Sequence, residues 1–254
     1  MFINATVRIL KVAAPDQDWS RQMQLGRSLR RAASLSTSDR KNGRVLDSAV
    51  LLRAGLELAG PASQDPPHSL SDVKRFRDGT MLAFLSLLPM RRGSFGHLQL
   101  GRSVMVIGSD IHIVLTGDMT KNGHPWEVRV PPILSATLRH YITMVRPWLL
   151  HRGGAAHDFL WVSDRGRPYA LNYLGTRIAD ITERQLGIRI YPHLFRDAAA
   201  TSLSRRSPEN ARLIRPLLAQ SSHGTAEKHY IQAGTIEAGR DYSAMLNDLL
   251  GEYE

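Results

Sequence analysis

The chain has 254 residues, of which 43% are apolar and 22% charged, with a formal charge of +10 and an isoelectric point of about 10.4. This composition is that of a folded globular protein rather than a disordered one. The positive excess points to a polyanionic partner, since phosphate neutralisation supplies most of the affinity of proteins that bind nucleic acid. There is no cysteine, which excludes disulfides, thiolate catalysis and Cys-ligated zinc and fits a reducing compartment.

The run Met1-Phe2-Ile3-Asn4-Ala5-Thr6-Val7-Arg8 lacks the basic lead and apolar core of a signal peptide. No apolar stretch approaches the length of a membrane span, so the expected location is cytoplasmic, away from membranes. Only five of the 33 basic residues are Lys (Lys11, Lys41, Lys74, Lys121 and Lys228), and the remainder are Arg. The planar guanidinium fork suits bidentate contact with phosphate.

In chain order, residues 16–33 read as a helix with a wet cationic face carrying Arg27, Arg30 and Arg31, and residues 45–59 as a second, more apolar helix. The cluster Gly60-Pro61-Ala62-Ser63-Gln64-Asp65-Pro66-Pro67 breaks the pattern. It divides a short helical segment, residues 1–65, from a larger domain, residues 66–254.

Ser71-Asp72 caps a long helix to about Leu88, Pro89-Met90-Arg91-Arg92 ends it, and a short helix is expected over His97–Leu100. Val104–Ile107, Ile111–Leu115 and Trp126–Val130 alternate apolar and polar residues and read as a three-stranded antiparallel meander. Asn122-Gly123 is a hairpin signal that places Lys121 at the second turn. The rest reads as helices over 132–146, 172–186, 193–205, 209–218, 226–233 and 236–250. The fold class is therefore mainly α (α+β), with one small sheet.

Five side chains stand out in order: Arg91, Lys121, His193, Arg196 and Tyr230. In-line attack of a tyrosine on a phosphodiester needs this set: arginines on the non-bridging oxygens, a lysine or histidine for protons, and a phenol to form the ester. Lys121 is the only lysine between Lys74 and Lys228. An ammonium can release its proton where a guanidinium effectively cannot, so a general acid toward a leaving oxygen has to be Lys or His. His193 and Arg196 stand at i and i+3, on one helical face. Each residue also has a plain reading: Arg91 as a solvated helix cap, Lys121 as an exposed turn residue, and Tyr230, Tyr242 or Tyr253 as a core tyrosine with a satisfied hydroxyl.

From about residue 66 onward the chain resembles the tyrosine recombinase (phage integrase) family. The resemblance rests on Leu87-Leu88-Pro89-Met90-Arg91-Arg92 ahead of a β-meander, on the hairpin lysine Lys121, on His193-Leu194-Phe195-Arg196 followed by small residues, and on Thr225-Ala226-Glu227-Lys228-His229-Tyr230. It implies a helical DNA breaking–rejoining catalytic domain acting on double-stranded DNA, with no cofactor, neither metal nor nucleotide. Tyr230 would form a 3′-phosphotyrosyl intermediate, Arg91 and Arg196 would clamp the phosphate, Lys121 would act as acid, and His193 would serve the tyrosine.

Two departures accompany it. Where the family has His or Trp shortly before the nucleophile, this chain has Gln220 or Ser221, depending on register. Gln220 can donate a hydrogen bond but not a proton at neutral pH. The helical core-binding domain of the family is also shortened to about two helices, or its start is missing. Two readings stay open, a recombinase of reduced activity and a DNA-binding relative without catalysis. The resemblance further implies self-assembly on DNA as a tetrameric synapse. The segment 236–250 either packs on its own domain or reaches a neighbouring subunit.

Overall fold

The computed structural model describes residues 2–35, 45–62, 67–120, 123–153, 155–206, 211–218 and 227–251. The chain divides into two compact units, Met1–Asn42 and Gly43–Glu254. In the first, α1 (Phe2–Ala13) and α2 (Ser20–Leu35) form a helical pair. The turn between them is closed by Trp19 Nε1, which donates to Ala14 O at 3.1 Å, and by the Asp18 carboxylate, which accepts from Ser20 N at 2.9 Å. Helix α1 is an addition to the elements expected from the sequence.

The second unit opens with α3 (Ser48–Ala59), capped by Asp47, and α4 (Leu70–Leu87), capped by Ser69. These two helices cross backbone to backbone. A Cβ on Gly79 would lie 2.2 Å from the Ala59 nitrogen, and one on Gly55 would lie 2.5 Å from the Ala83 nitrogen. By packing, α3 therefore falls with the larger of the two compact units.

Strands β1 (Val104–Ile107), β2 (Asp110–Leu115) and β3 (Trp126–Arg129) form the expected antiparallel meander in the order β1-β2-β3. Ile111, Ile113, Leu115, Trp126 and Val128 all point into the core, as the period-two alternation requires. Gly108, at φ +57°, makes the tight β1–β2 turn. The β2–β3 connection lies between Leu115 and Trp126, as expected; it carries a 3₁₀ turn at Gly117–Met119, and Thr120 Oγ1 donates to His124 O at 2.7 Å.

The short helix after Arg91 also starts earlier than expected. It is α5 (Arg92–Gly96), drawn down by the fully buried Phe95, and His97–Leu100 follow it outside any helix. Phe95 and Phe84 pack against Trp161, with ring centroids 4.8 and 5.6 Å away.

The remaining helices are α6 (Pro132–His140), α7 (Arg146–Leu150), α8 (Leu171–Leu186), α9 (Pro192–Arg206), α10 (Ala211–Leu217) and α11 (Glu227–Gly251). A π turn at Tyr141–Val145 joins α6 to α7. Helix α8 ends at Gly187, whose φ of +72° is the left-handed cap that favours glycine. Two pieces were expected over 226–233 and 236–250, but α11 is one continuous helix of 25 residues. Its later half packs into its own domain: Ala238, Tyr242 and Leu246 are fully buried and Met245 nearly so. This is the packing on its own domain that one of the two readings of the segment expects.

Candidate active site

The site is built on the turn that ends α4. Leu88 N closes the helix on Phe84 O at 2.8 Å, and Leu88, Pro89 and Met90 are buried. The chain emerges at the half-exposed Arg91, which begins α5. Arg91 lines an open cavity of about 530 Å³ together with Ser94, His97, Arg102, Asp118 and Thr120. One wall is pinned by Ser94 Oγ, which donates to Met119 O at 3.1 Å and ties α5 to the β2–β3 connection. The cavity thus runs from Arg91 to Thr120. Lys121, the next residue, lies outside the described residues.

Arg196 reaches the same turn from α9. Its guanidinium donates to Pro89 O and to Leu218 O, both at 2.7 Å. One side chain therefore holds the turn two residues before Arg91 and the end of α10 at once. Burial pulls its pKa down to about 10, with repulsion from Arg91 adding to the effect and Asp197 opposing it. The charge on Arg196 is therefore costly without a counter-anion. An oxyanion between the two guanidiniums would relieve burial and repulsion together.

His193 sits one turn earlier on α9, exposed, with its ring stacked on Tyr191 at 6.2 Å and 16°. Gln220 lies outside the described residues, two positions beyond the Leu218 carbonyl that Arg196 holds. Tyr230 falls in the first turn of α11, and its side chain lies outside the description. The geometry brings Arg91 and Arg196 together and places His193 on the helix that supplies Arg196.

Tyr242 is the core tyrosine among the alternatives. It is fully buried, and its hydroxyl donates to Ser86 O at 2.8 Å. Burial pushes the phenol well above its ordinary pKa, which rules it out as a nucleophile near neutral pH. This is the core reading with a satisfied hydroxyl; Ser86 and Pro89 sit close together in the chain and accept from α11 and α9 respectively. The turn that delivers Arg91 is gripped from two helices. Among the described residues no cluster of His, Asp or Glu could hold a metal ion, and no helix is long and apolar enough to cross a membrane.

This arrangement of helices around a three-stranded sheet is the fold of a site-specific recombinase. The chain is similar to XerH site-specific recombinase bound to its difH substrate in a pre-cleavage complex, with a TM-score of 0.50 and 16% identity over 83% of this chain and 53% of that one. For XerH bound to palindromic difH in a post-cleavage complex the values are 0.50 and 16%, over 86% of this chain and 54% of that one. XerA recombinase gives 0.49 and 18%, over 94% and 80%. The family resemblance read from the sequence is borne out at the level of fold, and the chain spans about half the length of the XerH chains it matches. No family model and no curated protein matches it.

Proposed function

We propose that the chain cleaves and rejoins double-stranded DNA as a tyrosine-type site-specific recombinase. The observation that carries this reading is the convergence of Arg91 and Arg196 on one buried turn, with the pKa of Arg196 depressed by burial and by Arg91. Two guanidiniums brought to one turn suit the non-bridging oxygens of one phosphate.

In this reading the Tyr230 oxygen attacks phosphorus while the bond to the 5′ oxygen breaks. The phenol proton passes to His193, and Lys121 protonates the leaving 5′ oxygen, which departs as a hydroxyl. Gln220 donates a hydrogen bond to the phosphate. The 3′-phosphotyrosyl ester retains the energy of the broken bond, so rejoining is the reverse attack by a 5′ hydroxyl and needs no external donor. XerH, solved with difH before and after cleavage, supports the assignment to DNA. We assign residues 1–65 the place of the family's core-binding arm, and a tetrameric synapse assembled on DNA in the cytoplasm completes the proposal.

The test is a nicked suicide duplex drawn from the DNA flanking the coding region. A covalent protein–DNA adduct is expected, and Tyr230→Phe should abolish it while leaving retardation of the duplex intact, since the hydroxyl adds no charge. Retardation without any adduct would leave a DNA-binding relative that has lost the chemistry, the outcome that Gln220 favours.

A further inference from the structure

A second cluster of cations lies between α4 and α8. Asp78 accepts from Arg77 Nε at 3.0 Å and Nη2 at 2.8 Å, and its second oxygen accepts from Arg177 of α8. Arg184, seven residues along the same helix, brings a third guanidinium to 4.0 Å. The side chains of Arg77 and Asp78 are 1% and 4% exposed and that of Arg177 is 15% exposed. Two largely buried positive charges therefore share a single buried carboxylate. Arg77 turns its remaining nitrogen to Val162 O at 3.2 Å and faces the Tyr169 ring, so it is held in place.

Asp78 and Arg177 open onto a cavity of about 440 Å³, whose walls also carry Lys74, Arg75 and Arg184. The carboxylates nearby do not balance this charge. Asp164 lies 3.9 Å from Lys74, and Asp180 and Glu183 are both engaged by Arg189. Four cations, Lys74, Arg75, Arg177 and Arg184, thus line one concavity with a single carboxylate, Asp78. Buried charge is costly unless it is paired, and the concavity is where a counter-anion would sit.

We propose that this cavity binds a phosphate group, held by Arg75, Arg177 and Arg184, the guanidinium fork being matched to an oxyanion. It is separate from the Arg91 site and does not rest on the reaction proposed there. The phosphate belongs either to a nucleic-acid backbone or to a free phosphate-bearing solute.

The experiment follows thermal unfolding of the full chain in rising inorganic phosphate, with chloride holding ionic strength constant. At about five times its Kd, phosphate should raise Tm by about 2–4 °C. Arg75→Gln with Arg184→Gln, both exposed and so compatible with folding, should abolish the rise. Arg21→Gln with Arg27→Gln, in the other compact unit, should retain it. No rise, or an equal rise in the Arg75/Arg184 variant, overturns the proposal. A salt titration of duplex DNA binding then separates the sources. A log–log slope reduced by about one per cation removed, beyond that of the Arg21/Arg27 variant, assigns the site to a nucleic-acid backbone. An unchanged slope with the phosphate response lost assigns it to a free solute.

Discussion

The hydroxyl of Tyr242 donates to the main-chain oxygen of Ser86 at 2.8 Å, across 156 residues of chain. Ser86 lies in the last turn of α4, where carbonyls have no partner within the helix. Tyr242 supplies that partner, five residues before Arg91, and sits in the same continuous helix as Tyr230. Tyr242→Phe keeps the ring and strands a buried acceptor, so a loss of about 1–3 kcal/mol in urea-unfolding free energy is expected. If the bond also sets the tyrosine helix against the Arg91 turn, the rate of adduct formation should fall while duplex affinity stays unchanged. A loss of stability with an unaltered adduct rate would reduce Tyr242 to a core residue.

What was legible in the sequence follows how local each signal is. Helix α4 was readable from its apolar period, but its cap is Ser69 and not the expected Ser71, because the Ser69 hydroxyl is the one that accepts from Asp72 N. The meander was readable because Ile111, Ile113 and Leu115 alternate faces. The grip of Arg196 on the Pro89 carbonyl spans 107 residues and leaves no local trace. The ordered series of Arg, Lys, His, Arg and Tyr pointed to Arg91 and Arg196 as partners, while Lys121, Gln220 and the Tyr230 side chain lie outside the described residues. Gly55 and Gly79 read as weak points in helices, because glycine costs helix stability and nothing nearby says that another backbone will rest on it.

That crossing yields a second prediction. Alanine is better than glycine in a helix by about 1 kcal/mol, so propensity alone favours Gly79→Ala. The added Cβ would, however, meet the Ala59 nitrogen at 2.2 Å and the Gly55 oxygen at 2.5 Å, both backbone atoms that cannot rotate away. Overpacking of this kind costs about 1–3 kcal/mol or more and should win. Gly175→Ala is the control, since its Cβ meets only the Arg92 side chain, at 3.2 Å. Denaturation midpoints should fall clearly for Gly79→Ala and hold or rise for Gly175→Ala. Equal midpoints would show that α3 and α4 do not touch through their backbones.

Two histidines set a dependence on pH. Burial lowers the pKa of His140, which packs on Phe76 at 4.6 Å. Burial and then the charge of Arg146 lower that of His157. The folded state therefore binds protons less readily than the unfolded chain. The stability these groups contribute is fully present above their unfolded pKa of about 6.5 and is lost as pH falls through their lower folded values. The midpoint in urea should drop between pH 7 and pH 5, and His140→Gln with His157→Gln should flatten that slope. The lowered carboxylates Asp18 and Asp118 titrate below this window and do not confuse it. A slope unaffected by the double substitution would place the acid sensitivity elsewhere.

The later half of α11 gives the last prediction. Ala238, Tyr242, Met245 and Leu246 are buried against the same chain, and Gly239 lies so close to β3 that a Cβ there would stand 2.9 Å from Val128. Each large apolar side chain fully buried contributes about 1.5–3 kcal/mol, against a total stability of about 5–15 kcal/mol for a typical domain. Deleting residues 236–254 removes several such side chains and exposes the faces of α4 and β3 that they cover. The truncated chain should lose cooperative unfolding and fall out of solution, whether or not DNA is present. A soluble truncated protein that unfolds cooperatively and still retards duplex DNA would show instead that the segment is dispensable to its own domain. It would then be free for use between protomers.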